Sequence, residues 1–390
     1  MQRRNLVILV CCQLISATGS IVFVTLGGII GATLTSELAW ATLPISMGVI
    51  ATAATTIPAT MLMRSVGRSR GFAIASMSAA GAVLTASWAL SAESFGLFLL
   101  AAGLFGVNMA FTQQYRYAAA ESVPTRYIPR AVAFVLLGSI GGAIVGPELA
   151  KHGKDWIHGV PYAGTMLALA GLYTLQAVLF LFLRSPISEE EGRHEEPRRR
   201  LGSIVRQPVF MVAVVSGIAG YGLMALVMTA TPLSMHINDG HSVEQTANVI
   251  RAHVLGMYVP SLVSGVLIER LGVVRMMFLG AAGLLVTSVI GLQGQTVLHY
   301  WWALVLLGVG WNFLYVGATT MLTYTYSMSE RFSAQAVNEF LVFGTAAAAS
   351  LLAGTIMHYF GWTVLMWIPI PILFIVCIAL ILVKPHVRTS

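Results

Sequence analysis

Asn108, Thr112 and Arg116 recur at intervals of four residues inside an otherwise apolar run. On a helix that spacing stacks all three on one face. Gln113, Tyr115 and Tyr117 flank them. An arginine among amides and phenols suits a planar, hydrogen-bonding solute, gripped by paired N–H donors and by stacking. A second group, Trp311, Asn312 and Tyr315, follows the step Gly308-Val-Gly310. Two amides with aromatic neighbours suit a ring system that stacks and accepts hydrogen bonds. Gln13 and Tyr221, also isolated in apolar runs, join the candidate binding set. Plainer readings stand beside these: Arg116 snorkels or pairs with Glu121, and Trp and Tyr fill space or sit at interfaces. Trp301 and Trp302 read as such an interfacial pair.

Other chemistries find less support. Glu244, Asn248 and Arg251 share one helical face and form either an outer gate or a neutralised helix end. His253 titrates near neutral pH when solvated, but a lone histidine in an apolar run is more often a packing residue. Proton coupling usually needs an embedded carboxylate, and the candidates are Glu148, Glu244 and Glu339. Cys11, Cys12 and Cys377 lie in apolar runs and read as small core residues, not a disulfide frame. No His, Cys, Asp or Glu cluster has metal-ligand spacing, so neither a metal nor a cofactor is expected. No carboxylate dyad or nucleophile–base pair shares a layer, so the chain reads as a non-enzyme. A nucleotide-binding loop of the Gly-rich, Lys-ending kind is absent as well.

The elements that position these residues follow from composition. The 390 residues are 57% apolar and 9% charged, against about 25% charged in a typical soluble domain. Lipid must therefore be the solvent. Apolar stretches run over 6–33, 39–63, 71–91, 95–121, 130–150, 163–183, 208–235, 243–268, 275–294, 298–325, 334–358 and 361–383. Peptide groups in hydrocarbon must bond within their own segment, so each stretch predicts a membrane-spanning helix. Of the 22 Lys and Arg, 18 fall on one side if the N-terminus is cytoplasmic. Only Lys151 and Lys154 fall on the other, while Arg116 and Arg251 lie within spans. This positive-inside bias predicts both termini in the cytoplasm of a cell inner-membrane protein. It also accounts for the net charge of +7 without nucleic acid.

The halves repeat. A shift of about 205 residues lays Arg126-Tyr127 on Arg331-Phe332, Ala131-Val132 on Ala336-Val337, Gly67 on Gly272 and Arg64 on Glu269. Asn108 then falls within one residue of Asn312. The hydrophilic segment 184–207, with Glu189-Glu190-Glu191 and Arg198-Arg199-Arg200, divides the chain into a six-helix half at 1–183 and another at 208–390. The expected fold is all-α and polytopic, with twelve helices in two parallel pseudo-repeats and the solute site between the halves near the midplane.

These features resemble the major facilitator superfamily over nearly the whole chain. Its loop signature, Gly-x-x-x-Asp-Arg-x-Gly-Arg, is matched by Gly265-Val-Leu-Ile-Glu269-Arg270-Leu-Gly272 and, less closely, by Thr60-Met-Leu-Met-Arg64-Ser-Val-Gly67-Arg68. In the family the acidic position latches the halves together. The resemblance implies charge-swapped partners here, Arg64 with Glu339 and Glu269 with Arg130; the alternative is snorkelling loop charges. Gly138-Ser-Ile-Gly141-Gly142-Ala-Ile-Val-Gly146-Pro147 is similar to the superfamily's antiporter motif without its trailing glycines, and packing alone explains such residues. Cys12-Gln13-Leu-Ile-Ser16-Ala-Thr18-Gly19 and the stretch from Gly106 to Tyr117 look like the bacterial riboflavin transporters of the superfamily. That likeness implies a monomeric secondary transporter in the bilayer, working by alternating access, with riboflavin or a related aromatic vitamin as the small-molecule solute taken up. Proton-coupled efflux of drugs or metabolites is the alternative. For the latch, Arg64→Glu should slow transport and the further change Glu339→Arg should restore it, read as initial rates in vesicles; a double variant as slow as the single one would refute the pairing.

Overall fold

The computed structural model describes residues 3–35, 40, 43–184 and 199–387. Most of the segment 184–207, including Glu189-Glu190-Glu191 and Arg198, lies outside the described residues. Sixteen helices are described: α1 (Arg3–Leu34), α2 (Leu43–Val66), α3 (Arg68–Ser91), α4 (Phe95–Thr112), α5 (Tyr115–Glu121), α6 (Ile128–Leu136), α7 (Gly138–Gly153), α8 (Ala163–Leu181), α9 (Leu201–Val205), α10 (Pro208–Pro232), α11 (Val243–Tyr258), α12 (Ser261–Leu271), α13 (Val273–Gln293), α14 (Val297–Thr323), α15 (Arg331–Trp367) and α16 (Pro369–Val387).

Among the described residues, eleven helical stretches are long and apolar enough to cross a membrane. The eleventh runs 53 residues from Arg331, about 80 Å at about 1.5 Å per residue. A hydrocarbon core is only about 30 Å thick. At Gly361 the backbone leaves the helix with φ 74° and ψ 179°, a conformation glycine enters without strain. The stretch is thereby two passes, and the expected twelve are present. Local chemistry sets the other breaks. Pro260 has no N–H to donate, and it parts α11 from α12. Ser242 and Gln245 form a reciprocal capping box that starts α11.

Contacts group the helices into two units, Met1–Val123 with Val135–Arg193, and Pro124–Phe134 with His194–Ser390. The short stretch 124–134, which carries most of α6, therefore packs with the second unit although it precedes the hydrophilic segment. In the first unit α1 lies on α7, α2 on α4, and α3 on both α4 and α8. In the second, α10 lies on α15, α11 on α14, and α13 on both α14 and α16. The same pairing scheme thus appears twice. Gly67 and Gly272, equivalent in the repeat, start α3 and α13 with φ 84° and 87°.

Large apolar side chains are exposed along the outer faces, among them Leu298 at 65% and Leu382 at 69%, as expected where lipid replaces water. Inside the first unit, Phe23 stacks on Phe105 at 4.8 Å and Tyr173 meets Phe105 edge-on at 6.0 Å. Glycines let the backbones approach. The α7 glycines lie against α1: a Cβ at Gly142 would stand 2.5 Å from Ala17 Cβ and 2.7 Å from Thr18 N, and one at Gly138 would strike Val10 O. No hydrophobic drive joins helices in lipid, so such small-residue contacts carry the association. Gly142→Leu should destabilise the protein by about 1–3 kcal/mol or more, the usual effect of overpacking. Gly81→Leu, where nothing lies within 4 Å, should be neutral. Thermal unfolding in detergent micelles checks both.

Candidate functional site

Each unit carries its own polar layer. In the first, Thr112 on α4 donates to Ser16 on α1 at 3.3 Å, and Ser16 donates to Gln176 Oε1 on α8 at 3.3 Å. Gln176 Nε2 donates to Tyr115 Oη at 2.8 Å and to Ser76 Oγ at 3.0 Å. All five side chains are buried. Tyr115 is wedged between Phe72 and Phe180, with centroids 4.9 and 5.1 Å away. Its ring thus lies in the helix core, and its hydroxyl belongs to a network joining α1, α3 and α8. Gln176 and Ser76 were missed in the sequence. The available signal was a single amide in the apolar run from Ala163 to Leu183.

Asn108 shares the α4 stripe of Phe105 and Thr112, both of which meet α1. It is fully buried, and neither atom of its amide finds a hydrogen-bond partner among the described residues. Tyr173 Oη on α8 is likewise buried without a partner and rests where any Cβ on Gly19 would collide with it. Buried polar groups are nearly always satisfied in native proteins. Gln13 Nε2 donates to Ser139 Oγ at 2.9 Å and ties α1 to α7. Arg116 donates to Gln113 Oε1 at 3.2 Å and to Tyr117 Oη at 3.3 Å, with its guanidinium 4.7 Å from the Tyr117 ring centre. Glu121 is gripped by Arg68, with Nε–Oε2 at 2.7 Å and Nη2–Oε1 at 2.5 Å, in a buried fork.

The second unit gathers an aromatic cluster from four spans. Trp311 stacks on Tyr315 at 4.7 Å with planes 19° apart, both on α14. Tyr221 on α10 meets Trp311 at 5.7 Å, Tyr315 at 5.6 Å and Phe343 of α15 at 4.8 Å. Tyr258, the last residue of α11, stands edge-on to Trp311 at 6.1 Å. The buried indole N–H of Trp311 has no partner among the described residues. The predicted residues Tyr221, Trp311 and Tyr315 are thus brought together, with Tyr258 and Phe343 added. Asn312 is placed differently. Its Nδ2 donates to Met257 O at 2.8 Å and Ser261 Oγ at 2.7 Å, across the break at Pro260. Only its Oδ1 is without a partner. His253 Nδ1 lies 2.9 Å from Leu304 O, which ties α11 to α14. The side chain of Glu244 lies outside the described residues, and Glu148 is exposed beside His152 at 3.2 Å.

Of the expected latch residues, Arg130 Nη2 and Glu269 Oε2 lie 2.6 Å apart. Gly265, the first glycine of the loop signature, makes room for that pair: a Cβ there would stand 2.7 Å from Arg130 Cα. Arg64 is exposed at the end of α2, and buried Glu339 accepts from Asn338 Nδ2 at 2.8 Å. Among the described residues no group of three or more His, Cys, Asp or Glu could hold a metal ion.

A family model, the Major Facilitator Superfamily, matches residues 8–246 and again 223–390. This chain belongs to the major facilitator superfamily. Its relatives include the riboflavin transporter RfnT of Brucella anthropi, 37% identical over 385 residues that cover 98% of this chain and 96% of RfnT. YdeG of Bacillus subtilis, an uncharacterised transporter of the superfamily, is 28% identical over 91% of this chain and 86% of its own length. Among solved structures, the human organic anion transporter MFSD10 superposes with a TM-score of 0.75 at 14% identity, covering 97% of this chain and 99% of that one. The fucose transporter FucP gives 0.74 at 14%, covering 96% and 97%. The fold of this facilitator is therefore that of the superfamily, a multi-pass membrane transporter.

A further contact, not anticipated, lies outside the spans of this facilitator. Glu330, in the turn before α15, accepts from Arg199 through its backbone N at 2.8 Å, Nε at 2.9 Å and Nη2 at 2.7 Å, and from Ser327 N at 3.0 Å. Arg199 Nη2 and Gln207 Nε2 both donate to Thr325 O. The hydrogen bond from the Arg199 guanidinium, aided by the Ser327 and Arg199 amides against the opposing effect of burial, holds the Glu330 carboxyl down at about 2 from 4.5. The folded state thus binds its proton less readily than the unfolded chain, and the stabilisation is complete above pH 4.5. It fades as the pH falls from 4.5 towards 2. The gap in Tm between the parent and Glu330→Gln should accordingly be constant from neutral pH to about 5 and close in more acid buffer. A gap independent of pH would mean the carboxylate is not the anchoring species.

Proposed function

We propose that this chain takes up riboflavin, or a closely related aromatic vitamin, across the cell inner membrane by alternating access. The observation that carries the reading is the 37% identity to RfnT over nearly the full length of both chains. In the superfamily, transport proceeds by two helical halves that expose a solute in turn to either side. We assign those halves to 1–183 and 208–390, joined through 184–207, with both termini cytoplasmic and a single chain as the working unit.

The chemistry of the two polar layers agrees with such a solute. The aromatic cluster of Tyr221, Tyr258, Trp311, Tyr315 and Phe343 suits a flat, fused ring that stacks. The Trp311 N–H and the Asn108 amide, each buried without a partner among the described residues, suit polar groups of the carbonyl and imide kind. Arg116, Thr112 and the Gln13 amide complete the polar side of the assignment, while Tyr115 and Asn312 hold neighbouring helices in place. The alternative of proton-coupled efflux drew on the glycines of α7, and their packing on α1 accounts for them without export.

A riboflavin auxotroph on limiting vitamin provides the test. Expression of this chain should rescue growth and give saturable uptake of labelled riboflavin. Trp311→Phe and Tyr221→Ala should raise the KM roughly two- to tenfold, since an aromatic pair contributes about 0.5–1.5 kcal/mol beyond its buried area. Asn108→Ala should lower uptake while membrane abundance is unchanged. No rescue by a chain verified in the membrane would overturn the vitamin assignment.

A further inference from the structure

A cavity of about 850 Å³ lies in the second unit where the ends of several spans converge. Arg126 lines it from the turn leading into α6 and Arg130 from the first turn of α6, Glu269 and Arg270 from the end of α12, and Thr323 and Tyr324 from the end of α14. The volume is in the range of ligand sites, about 300–1,000 Å³. Three arginines line it against one acidic residue. Glu269 is committed to Arg130 at 2.6 Å, so the charges of Arg126 and Arg270 have no counter-charge in the lining. Arg126 stands 5.8 Å from the ring centre of Tyr127, an arrangement that holds the guanidinium over a fixed platform.

The depth of the cavity matters as much as its charge. Leu271 ends α12, Val273 starts α13, Thr323 ends α14, and the turn Thr125–Tyr127 precedes α6. Helix ends of this kind mark where the apolar passes meet water, the level at which lipid phosphates lie. A basic pocket between membrane helices at that level has the chemistry of an anionic headgroup site. Arginine presents its donors in a fork that matches two phosphate oxygens at once.

We infer that this cavity binds a phosphate group, carried either by an anionic lipid or by a soluble phosphate compound. The inference is independent of the transported solute. Arg126 and Arg270 are its phosphate ligands; the Arg130–Glu269 pair forms one wall, and the Tyr324 hydroxyl supplies a further donor.

The full chain, purified and placed in nanodiscs of phosphatidylcholine with or without phosphatidylglycerol, tests the lipid source by thermal unfolding. Inorganic phosphate titrated into the detergent-solubilised chain tests the soluble source. A rise in Tm of a few degrees with phosphatidylglycerol, lost in Arg126→Gln/Arg270→Gln, establishes a headgroup site. A saturable rise with inorganic phosphate, lost in the same variant, establishes a soluble-phosphate site. Arg206→Gln, at an exposed arginine outside the cavity, should keep the full shift. If it loses the shift equally, the effect is net charge and the site is refuted. No shift from either ligand, or an undiminished shift in the double variant, also refutes it. Should the double variant fail to fold, Arg270→Gln alone and the charge-retaining Arg126→Lys/Arg270→Lys give the same comparison, with a partial loss expected in both.

Discussion

A peptide group in hydrocarbon has no water to bond, and this one constraint shapes the whole chain. Each apolar stretch must satisfy its own N–H and C=O groups, which leaves helices as the only form open to it. Helices surrounded by lipid gain little from hiding apolar surface, so their association depends on how closely the backbones can approach. Gly106 of α4 against Gly48 of α2, the glycines of α7 against α1, and Gly308 of α14 against His253 and Gly256 of α11 are among the places where that approach is close. Two departures from helical form sit where a backbone group is missing or free to turn, at Pro260 and Gly361.

The same constraint sorts the polar side chains. A hydroxyl or amide inside a span is costly unless it finds a partner, and most do. Ser16, Thr112, Tyr115, Gln176 and Ser76 form one connected set between four spans of the first unit. Asn312 bridges the gap left by Pro260. The buried Arg68–Glu121 fork joins the start of α3 to the end of α5. Against that background the amides of Asn108 and Gln114, the indole N–H of Trp311 and the hydroxyls of Tyr173, Ser216, Ser264, Ser288 and Thr320 stand apart, because each is buried and partnerless among the described residues.

Repetition explains why the two units differ chemically on one plan. Both use the same pairing of spans, and both start the third helix of the repeat on a glycine with positive φ. On that common frame the first unit carries hydroxyls and amides, and the second carries Tyr221, Tyr258, Trp311, Tyr315 and Phe343. The loop signature also differs between the repeats, with Arg64 standing where the second has Glu269.

The sequence alone determined that this protein lives in lipid, crosses it twelve times, and repeats after about 205 residues. Those properties follow from composition, segment length and punctuation, which are local quantities. It also marked out Asn108 and the Trp311–Tyr315 pair, because a polar or aromatic residue in an apolar run is visible without a fold. The facing of each helix was not legible. A span that is apolar on all sides has no stripe to betray which side meets protein and which meets lipid. Tyr115 and Asn312 therefore looked like free binding groups, and Gln176, Tyr258 and Phe343 passed unnoticed, until the packing of α4 on α1 and of α14 on α11 gave each side chain its neighbours. Hydrogen-bond partners drawn from distant parts of the chain, such as Gln176 for Tyr115 and Glu330 for Arg199, exist only once tertiary structure brings them within reach.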